Sequence, residues 1–374
     1  MEIGGGFGGK IPVYLDPVAS ILSRKSGLPV KIVMSRTEVF EATGPTPGTY
    51  MKIKMGATKE GKISGAELSL YYEAGAFPGS PVSAGAQCAF APYNINDAQV
   101  DGYDVVVNKP KTSAYRAPGA TSSAFAVETM IDELCTEIGI DPLEFRLNNG
   151  AREGDRRVDG PVFPRIGYLE TVNAAMEHPH WLSPLEGANR GRGVATGFWF
   201  NAGGPSSCFI TVNSDGTIGL VEGSTDIGGP RPAIAMQAAE VLGIPAESVT
   251  PKVTDTDSIG FTSVTGGSSV AFKTGLAAYE AAQDVKSQMI QRAALIWETG
   301  VENVEFEDGV FLHKTDSNLR LTFKDLAGQL NSTGGSITGS ASVNATRPGG
   351  AFAAHIVDVE VDPETGKTQI LRYT

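Results

Sequence analysis

The chain has 374 residues, 41% of them hydrophobic and 19% charged, with a formal net charge of −12. That length suffices for two domains with separate cores, and the balance is that of a globular rather than a disordered chain. The acidity disfavours nucleic-acid partners, no run is long and apolar enough to span a bilayer, and no secretory-signal pattern is read at the start.

In chain order, Val13 to Arg24 carries apolar residues at helical spacing (Val13, Leu15, Val18, Ile21, Leu22) and predicts a helix that Gly27 stops. Val30 to Met34 then predicts a buried strand. Met51 to Tyr72 predicts two strands joined at Glu60-Gly61-Lys62. Thr121 to Ile138 predicts a helix, and Pro142 opens a short one. Asn148 to Gly167 is polar and rich in Gly, Pro and Arg, the pattern of a linker. Cys208 to Val212 and Thr217 to Glu222 alternate around Asp215-Gly216, a hairpin signal. Pro232 to Leu242 predicts a helix and Phe272 to Thr299 the longest one. Ala353 to Asp362 turns at Pro363-Glu364-Thr365-Gly366 and returns through Gln369 to Arg372. Strands and helices mix without a strict βαβ beat, which predicts an α+β fold.

Three cysteines, Cys88, Cys135 and Cys208, are scattered. They give neither a disulfide framework nor a zinc or iron–sulfur ligand set, so a reducing cytoplasm is the expected location. Both ends read as cut. A glycine loop follows Met1 almost at once, and Thr374 closes a strand over residues 368–373. The expectation is an open-reading-frame fragment or one half of a split subunit.

Four loops of small residues stand at helix starts. Gly4 to Gly9 fits G-x-G-x-x-G, but no strand precedes it and no acidic residue ends a second strand about 20 residues on, so the nicotinamide-binding reading is weak. Ala114-Tyr115-Arg116-Ala117-Pro118-Gly119-Ala120 places a fixed cation in a tight turn. Gly223 to Gly229 and Thr265-Gly266-Gly267-Ser268-Ser269 each precede a helix and offer backbone N–H groups or hydroxyls. Taken singly, a glycine turn, a surface arginine and two helix caps account for them. Taken together in an acidic chain, they fit one large anionic cofactor better.

These motifs carry a resemblance. Gly-Gly-Gly-Phe-Gly-Gly-Lys at 4–10 resembles the molybdopterin-binding signature of the xanthine dehydrogenase/aldehyde oxidase family of molybdenum hydroxylases. Ala-Tyr-Arg-Ala-Pro-Gly-Ala at 114–120, with Glu128 and Met130 to Leu134, resembles a second signature, and Asp141 to Arg146 the stretch after it. Thr225 to Gly229, Asp255 to Asp257, Thr265 to Ser268 and Val359 to Gly366 resemble later family segments in order. The resemblance implies two mixed α/β molybdopterin-binding domains, over 1–150 and 191–374, joined by a connecting segment over 151–190. It implies that Gly6, Phe7, Gly8, Arg116, Gly228, Gly229, Gly266, Gly267 and Ser268 bind the cofactor, a molybdenum molybdopterin expected in its cytosine dinucleotide form. Phe198 and Pro118 would line the substrate pocket, and no side chain would ligate the metal directly. Partner chains would carry iron–sulfur clusters and FAD, and a second molybdopterin-binding chain is a further expected partner.

The implied reaction hydroxylates an aldehyde or N-heterocycle by Mo–OH attack with hydride transfer to Mo=S. The family's general-base Glu lies in a Gly-x-Gly-Glu stretch that this sequence lacks. His178, His180, His313 and His355 sit in unrelated contexts. The chain is therefore expected to be inactive alone, as an enzyme fragment or split subunit; a non-catalytic pterin- or anion-binding or assembly subunit is the alternative. Gly229 and Ser122 stand where members often carry Gln. Ile11 and Pro118 stand where purine-oxidising members carry Glu and Phe. The Cys-bearing loop of carbon monoxide dehydrogenases is replaced by Arg116-Ala117-Pro118-Gly119. Xanthine is accordingly not the expected substrate.

Overall fold

A computed structural model describes residues 3–346 and 349–374, so Met1, on which the reading of a cut start rests, lies outside the described residues. In chain order the elements are Asp16–Ser26 (α1), Arg36–Ala42 (α2), Thr49–Ala57 (β1), Ile63–Gly75 (β2), Val82–Ala89 (α3), Ala98–Val106 (β3), Ala120–Ile138 (α4), Pro142–Asn149 (α5), Tyr168–Met176 (α6) and Pro179–Leu182 (α7). There follow Arg190–Trp199 (β4), Gly204–Val212 (β5), Ile218–Glu222 (β6), Pro230–Leu242 (α8), Val249–Val253 (β7) and Val270–Ile296 (α9). The remainder are Val304–Glu307 (β8), Val310–His313 (β9), Arg320–Thr322 (β10), Phe323–Gln329 (α10), Thr338–Ala345 (β11), Ala351–Val361 (β12) and Thr368–Tyr373 (β13). The α+β expectation holds.

Contacts divide the chain into two compact units, each assembled from two stretches. One is Met1–Gly6 with Asn201–Pro348; the other is Phe7–Phe200 with Gly349–Thr374. The residues expected as a connecting segment, 151–190, lie inside the second unit. They include a hydrogen-bonded loop in which Gly154 N–H donates to the Phe163 carbonyl at 3.0 Å and Phe163 N–H to Asp155 at 2.9 Å.

In the Phe7–Phe200 unit, β2 pairs antiparallel with β1 and parallel with β3. The buried residues of β2 alternate: Ala66, Leu68, Leu70 and Tyr72 point inward, as a strand with one covered face requires. They pack on Val127 and Ile131 of α4 and on Phe145 of α5. A second sheet has β12 at its centre, between β4 and β13. Its Val194 and Ile356 pack on Tyr168 and Val172 of α6. A buried polar network ties α4, α5 and β4 together. Arg146, with no exposed side-chain surface, donates to Glu128 at 3.0 Å, to Asp132 at 3.0 Å and to the Val194 carbonyl at 3.1 Å. Glu128 also accepts from Tyr93 Oη and from the Thr196 N–H.

In the Asn201–Pro348 unit the order β11-β5-β6-β7 is antiparallel except for β6–β7, whose parallel pairing uses α8 as its crossover. Helix α9 lies on this sheet through a face of small residues, Ala277, Ala278, Ala281 and Ala282, followed by Val285 and Met289. The approach is close enough that a Cβ on Gly339 would lie 2.4 Å from the Ala281 carbonyl.

One expectation is corrected. Residues 30–34 form no strand: Val33 is 74% exposed and no described strand runs alongside, so the apolar alternation has no ladder to join. Helix α1 forms, starting at Asp16 with Pro17 in its first turn, but buries nothing; Val18, Ile21 and Leu22 are exposed. No helix among the described residues is long and apolar enough to cross a membrane.

Candidate functional site

The glycine run is divided between the units: Gly4 to Gly6 belong to one and Phe7 to Gly9 to the other. In the Asn201–Pro348 unit, Ile3 N–H donates to the Asp226 carbonyl and Gly5 N–H to the Ile227 carbonyl, both at 3.0 Å. Gly4 to Gly6 thus lie along the loop between β6 and α8. A Cβ on Gly6 would sit 3.6 Å from Ile227. Asp226 shapes this loop from inside. One oxygen accepts from Gly228 N–H at 2.7 Å and the other from Arg231. Burial opposes its ionisation, but the bonds from Arg231 and Gly228 prevail and hold the carboxyl below its usual value. Gly228 and Gly229 follow with φ of +105° and +98°, and a Cβ on either would meet nothing within 4 Å. Their backbone requires glycine, and the space beside it is open to a ligand.

Thr265 Oγ1 donates to the Thr225 carbonyl at 3.1 Å, joining this loop to the one before α9. There Ala202 N–H donates to the Gly267 carbonyl at 2.7 Å, and Ser268 has a left-handed φ of +61°. The Ser269 hydroxyl donates to the Gly266 carbonyl at 2.8 Å. The structure therefore brings Gly6, Gly228, Gly229, Gly266, Gly267 and Ser268 into one connected set of loops. Their chemistry suits an extended anion: left-handed backbone, hydroxyls, helix starts and an Asp226 carboxylate already paired with Arg231. Helix α8 itself contributes little, because Pro230 and Pro232 remove two of its first N–H groups. Helix α9, with no proline in its first turn, retains them.

In the Phe7–Phe200 unit a second set forms. Phe7 has φ +50° and Gly8 +95°. Arg116 N–H donates to the Phe7 carbonyl at 2.8 Å, and its guanidinium stands 5.7 Å from the Phe7 ring centre. A Cβ on Gly8 would lie 2.3 Å from the Ala114 carbonyl oxygen, so the two loops touch backbone to backbone. Phe7, Gly8 and Arg116 are thus neighbours. Pro118 is half-buried beside them. Phe198 is 7% exposed and packs between Phe163 and Phe352, with ring centres 5.8 and 5.1 Å away. The same cluster includes Ala117.

Other polar residues were not anticipated. Glu222, fully buried at the end of β6, accepts from the Ser224 N–H with one oxygen, while the other meets no donor among the described residues. Burial raises its carboxyl to about 7, against the lowering effect of the Ser224 bonds. Ser224 and Ser206 both hydrogen-bond Thr274 of α9, at 2.5 and 2.8 Å. Glu222 was legible in principle: after Ile218 and Leu220 it is the next inward position of an alternating strand. The three cysteines are buried in three different clusters, and burial pushes their thiols up to about 12, 11 and 12 for Cys88, Cys135 and Cys208. No three His, Cys, Asp or Glu among the described residues gather as a metal-binding group.

Both halves match family models of the molybdopterin cofactor-binding domain, over residues 1–150 and 173–374, and the chain belongs to that family. Among curated relatives, the xanthine dehydrogenase molybdenum-binding subunit of Escherichia coli O157:H7 is 30% identical across 99% of this chain and 52% of its own length. The aldehyde oxidoreductase molybdenum-binding subunit of E. coli K12 is 28% identical across 99% and 50%. Carbon monoxide dehydrogenase from Oligotropha carboxidovorans superposes with a TM-score of 0.86 at 24% identity, over all of this chain and 52% of that one. Quinoline 2-oxidoreductase from Pseudomonas putida 86 gives 0.85 at 23%, with the same coverage. The chain is thus a molybdopterin-binding chain of the molybdenum hydroxylase family, and it spans about half the length of the curated relatives it matches.

Proposed function

We propose that this chain seats the molybdenum cofactor of an enzyme that hydroxylates an aldehyde or an N-heterocycle. The observation that supports this best is the connected set of loops at Gly5–Ile227, Gly228–Gly229 and Thr265–Ser268, whose left-handed backbone and hydroxyls present no unpaired carboxylate to an anion. Gly6, Gly228, Gly229, Gly266, Gly267 and Ser268 would hold the pterin and its phosphate tail, in the cytosine dinucleotide form. Phe7, Gly8 and Arg116 would bound the cofactor on their own unit. When bound, the cofactor supplies the two-electron oxidising centre. The chain's own part is to bind, orient and exclude water. Arg116 supplies a fixed cation steadied by Phe7. Pro118 and Phe198 would shape the substrate pocket, and Ile11 and Pro118 fit a substrate other than a purine.

The general base is assigned to no residue of this chain. Buried, separated cysteines leave electrons to exit through iron–sulfur and FAD partner subunits, and they suit a reducing cytoplasm. Molybdenum and pterin analysis of the protein, matured in a host that makes the cofactor, tests the proposal. Stoichiometric metal and pterin are expected; their absence from folded protein would overturn it. Turnover of aldehydes against N-heterocycles with the partner subunits then separates the substrate classes.

A further inference from the structure

Helix α9 has two long faces. One, through Ala277, Ala278, Ala281 and Ala282, lies on the sheet. The other, Phe272, Leu276, Tyr279, Gln283 and Lys286, recurs at spacings of four and three residues and stays partly exposed, Tyr279 to 43%. That spacing is the one by which a helix presents a seam to another helix. A face meant for water would be polar there; Phe272, Leu276 and Tyr279 are instead large and apolar or aromatic.

This stripe is one wall of a cavity of about 730 Å³ within the Asn201–Pro348 unit, and the lining includes none of Gly228, Gly229, Gly266, Gly267 or Ser268. Gln237, Glu240 and Val241 of α8 form the facing wall, and Phe306, Glu307 and Asp308 of β8 and its turn complete it. The walls are set before anything binds. Gln237 Nε2 donates to the Ala271 carbonyl at 3.0 Å. Gly243, which caps α8, lies so near the β8–β9 turn that a Cβ on it would be 2.0 Å from the Gly309 nitrogen. A preformed cavity spends little on ordering when it is filled.

Shape and charge say what fits. From Phe272 to Lys286 the stripe runs about 21 Å, which for the cavity's volume leaves a cross-section of about 35 Å², room for one row of side chains but not for a helix about 10 Å across. A helix lying along the opening and inserting one row matches that shape; a compact small molecule would leave most of the stripe uncovered. On the α8 and β8 side, Glu240, Glu307 and Asp308 are exposed and form no ion pair among the described residues. The negative end of α8 at Gly243 lies with them. Lys286, the cation in the lining, stands over the Phe306 ring at 4.7 Å. The α8 side of the groove therefore attracts positive charge.

We propose that the groove between α8, α9 and the β8–β9 turn docks an amphipathic helix of a partner protein, one that inserts apolar residues at heptad spacing along Phe272, Leu276 and Tyr279 and carries lysines or arginines on the flank facing Glu240, Glu307 and Asp308. The groove lies outside the loops that would hold the cofactor, so the two stand or fall separately: molybdenum and pterin content reports on one, helix binding on the other.

The test is titration of the 374-residue chain with two synthetic helical peptides of about three heptads, both with leucine at the a and d positions, one with lysine and one with glutamate at e and g. Calorimetry and fluorescence anisotropy of labelled peptide report binding. The lysine peptide is expected to bind about tenfold more tightly than the glutamate peptide, the gap closing at about 1 M salt. Leu276→Gln with Tyr279→Gln, both at partly exposed positions, is expected to keep the melting temperature and bind the lysine peptide about tenfold more weakly. Glu240→Lys with Glu307→Lys is expected to reverse the preference between the peptides. Equal binding of the two peptides, binding of neither, or binding untouched by the Leu276 and Tyr279 changes overturns the proposal. So does self-association of the wild-type chain that Leu276→Gln abolishes, which would give the groove to a second copy. If the Leu276 and Tyr279 variant fails to fold, the charge reversal at exposed Glu240 and Glu307 decides.

Discussion

Gly8→Ala tests the contact between the Phe7 and Arg116 loops. At φ +95° an alanine occupies backbone that L-residues rarely adopt, which costs about 1–3 kcal/mol. Its Cβ would also fall 2.3 Å from the Ala114 carbonyl oxygen. Reaching an ordinary separation of about 3.5 Å forces the loops apart by about 1 Å, an overpacking cost of about 1–3 kcal/mol. Gly228→Ala is the internal control: its φ is +105°, but nothing lies within 4 Å of the new carbon, so it carries only the backbone cost. The difference between the two variants isolates the contact, at about 1–3 kcal/mol. Urea unfolding measures both. Hydrogen exchange at the Arg116 amide, which donates to the Phe7 carbonyl at 2.8 Å, reports the local opening. Faster exchange is expected in Gly8→Ala and not in Gly228→Ala. Equal destabilisation of the two, or an Arg116 amide as protected as in wild type, would refute the argument.

Three further outcomes are expected. Glu222 has its folded-state carboxyl raised to about 7 from 4.5, so the fold favours the neutral acid; stability is greatest below about 4.5 and declines as pH rises to about 7. The decline amounts to about 3 kcal/mol, and Glu222→Gln should abolish it. Urea midpoints between pH 5 and 8 check this, and identical pH slopes for the two proteins would count against it. Arg146→Met leaves Glu128 buried without its cation and should cost about 3–5 kcal/mol; adding Glu128→Gln should recover part of that, and additive losses in the double-mutant cycle would exclude the pairing. Cys88, Cys135 and Cys208, all buried with raised thiols, should resist alkylation at pH 8 until the chain is unfolded, as mass spectrometry of labelled protein would show.

What could be read from the sequence had local causes. The β1–β2 and β5–β6 hairpins, α4, α8 and α9 announce themselves through turn glycines and apolar period. Strand β11, Thr-Gly-Ser-Ala-Ser-Val-Asn-Ala, has no apolar run; it is a strand because β5 offers it an edge. β4 is similar, with three glycines and two arginines in ten residues, and is made a strand by β12. Val30 to Met34 shows the converse, apolar residues without a partner. At the site, the glycine loops and Arg116 were legible because backbone that approaches an anion needs special residues. Glu222 escaped attention because it sits within an otherwise apolar periodic strand, where its inward direction becomes visible only once the strand's faces are assigned.

The pairing of β4 with β12 also bears on how the chain is made. Val194 lies opposite Ile356, so roughly 160 residues must be synthesised between one strand and its neighbour. Until then β4 leaves the ribosome as an open edge. Its composition suits that interval: Gly191, Gly193 and Gly197 weaken intrinsic strand preference, and Arg190 and Arg192 repel a second copy. Once β12 arrives, Arg192 pairs with Asp358 at 2.7 Å and Arg190 with Glu360 at 2.8 Å. The charges that guard the nascent edge against self-association become the ones that register its final partner.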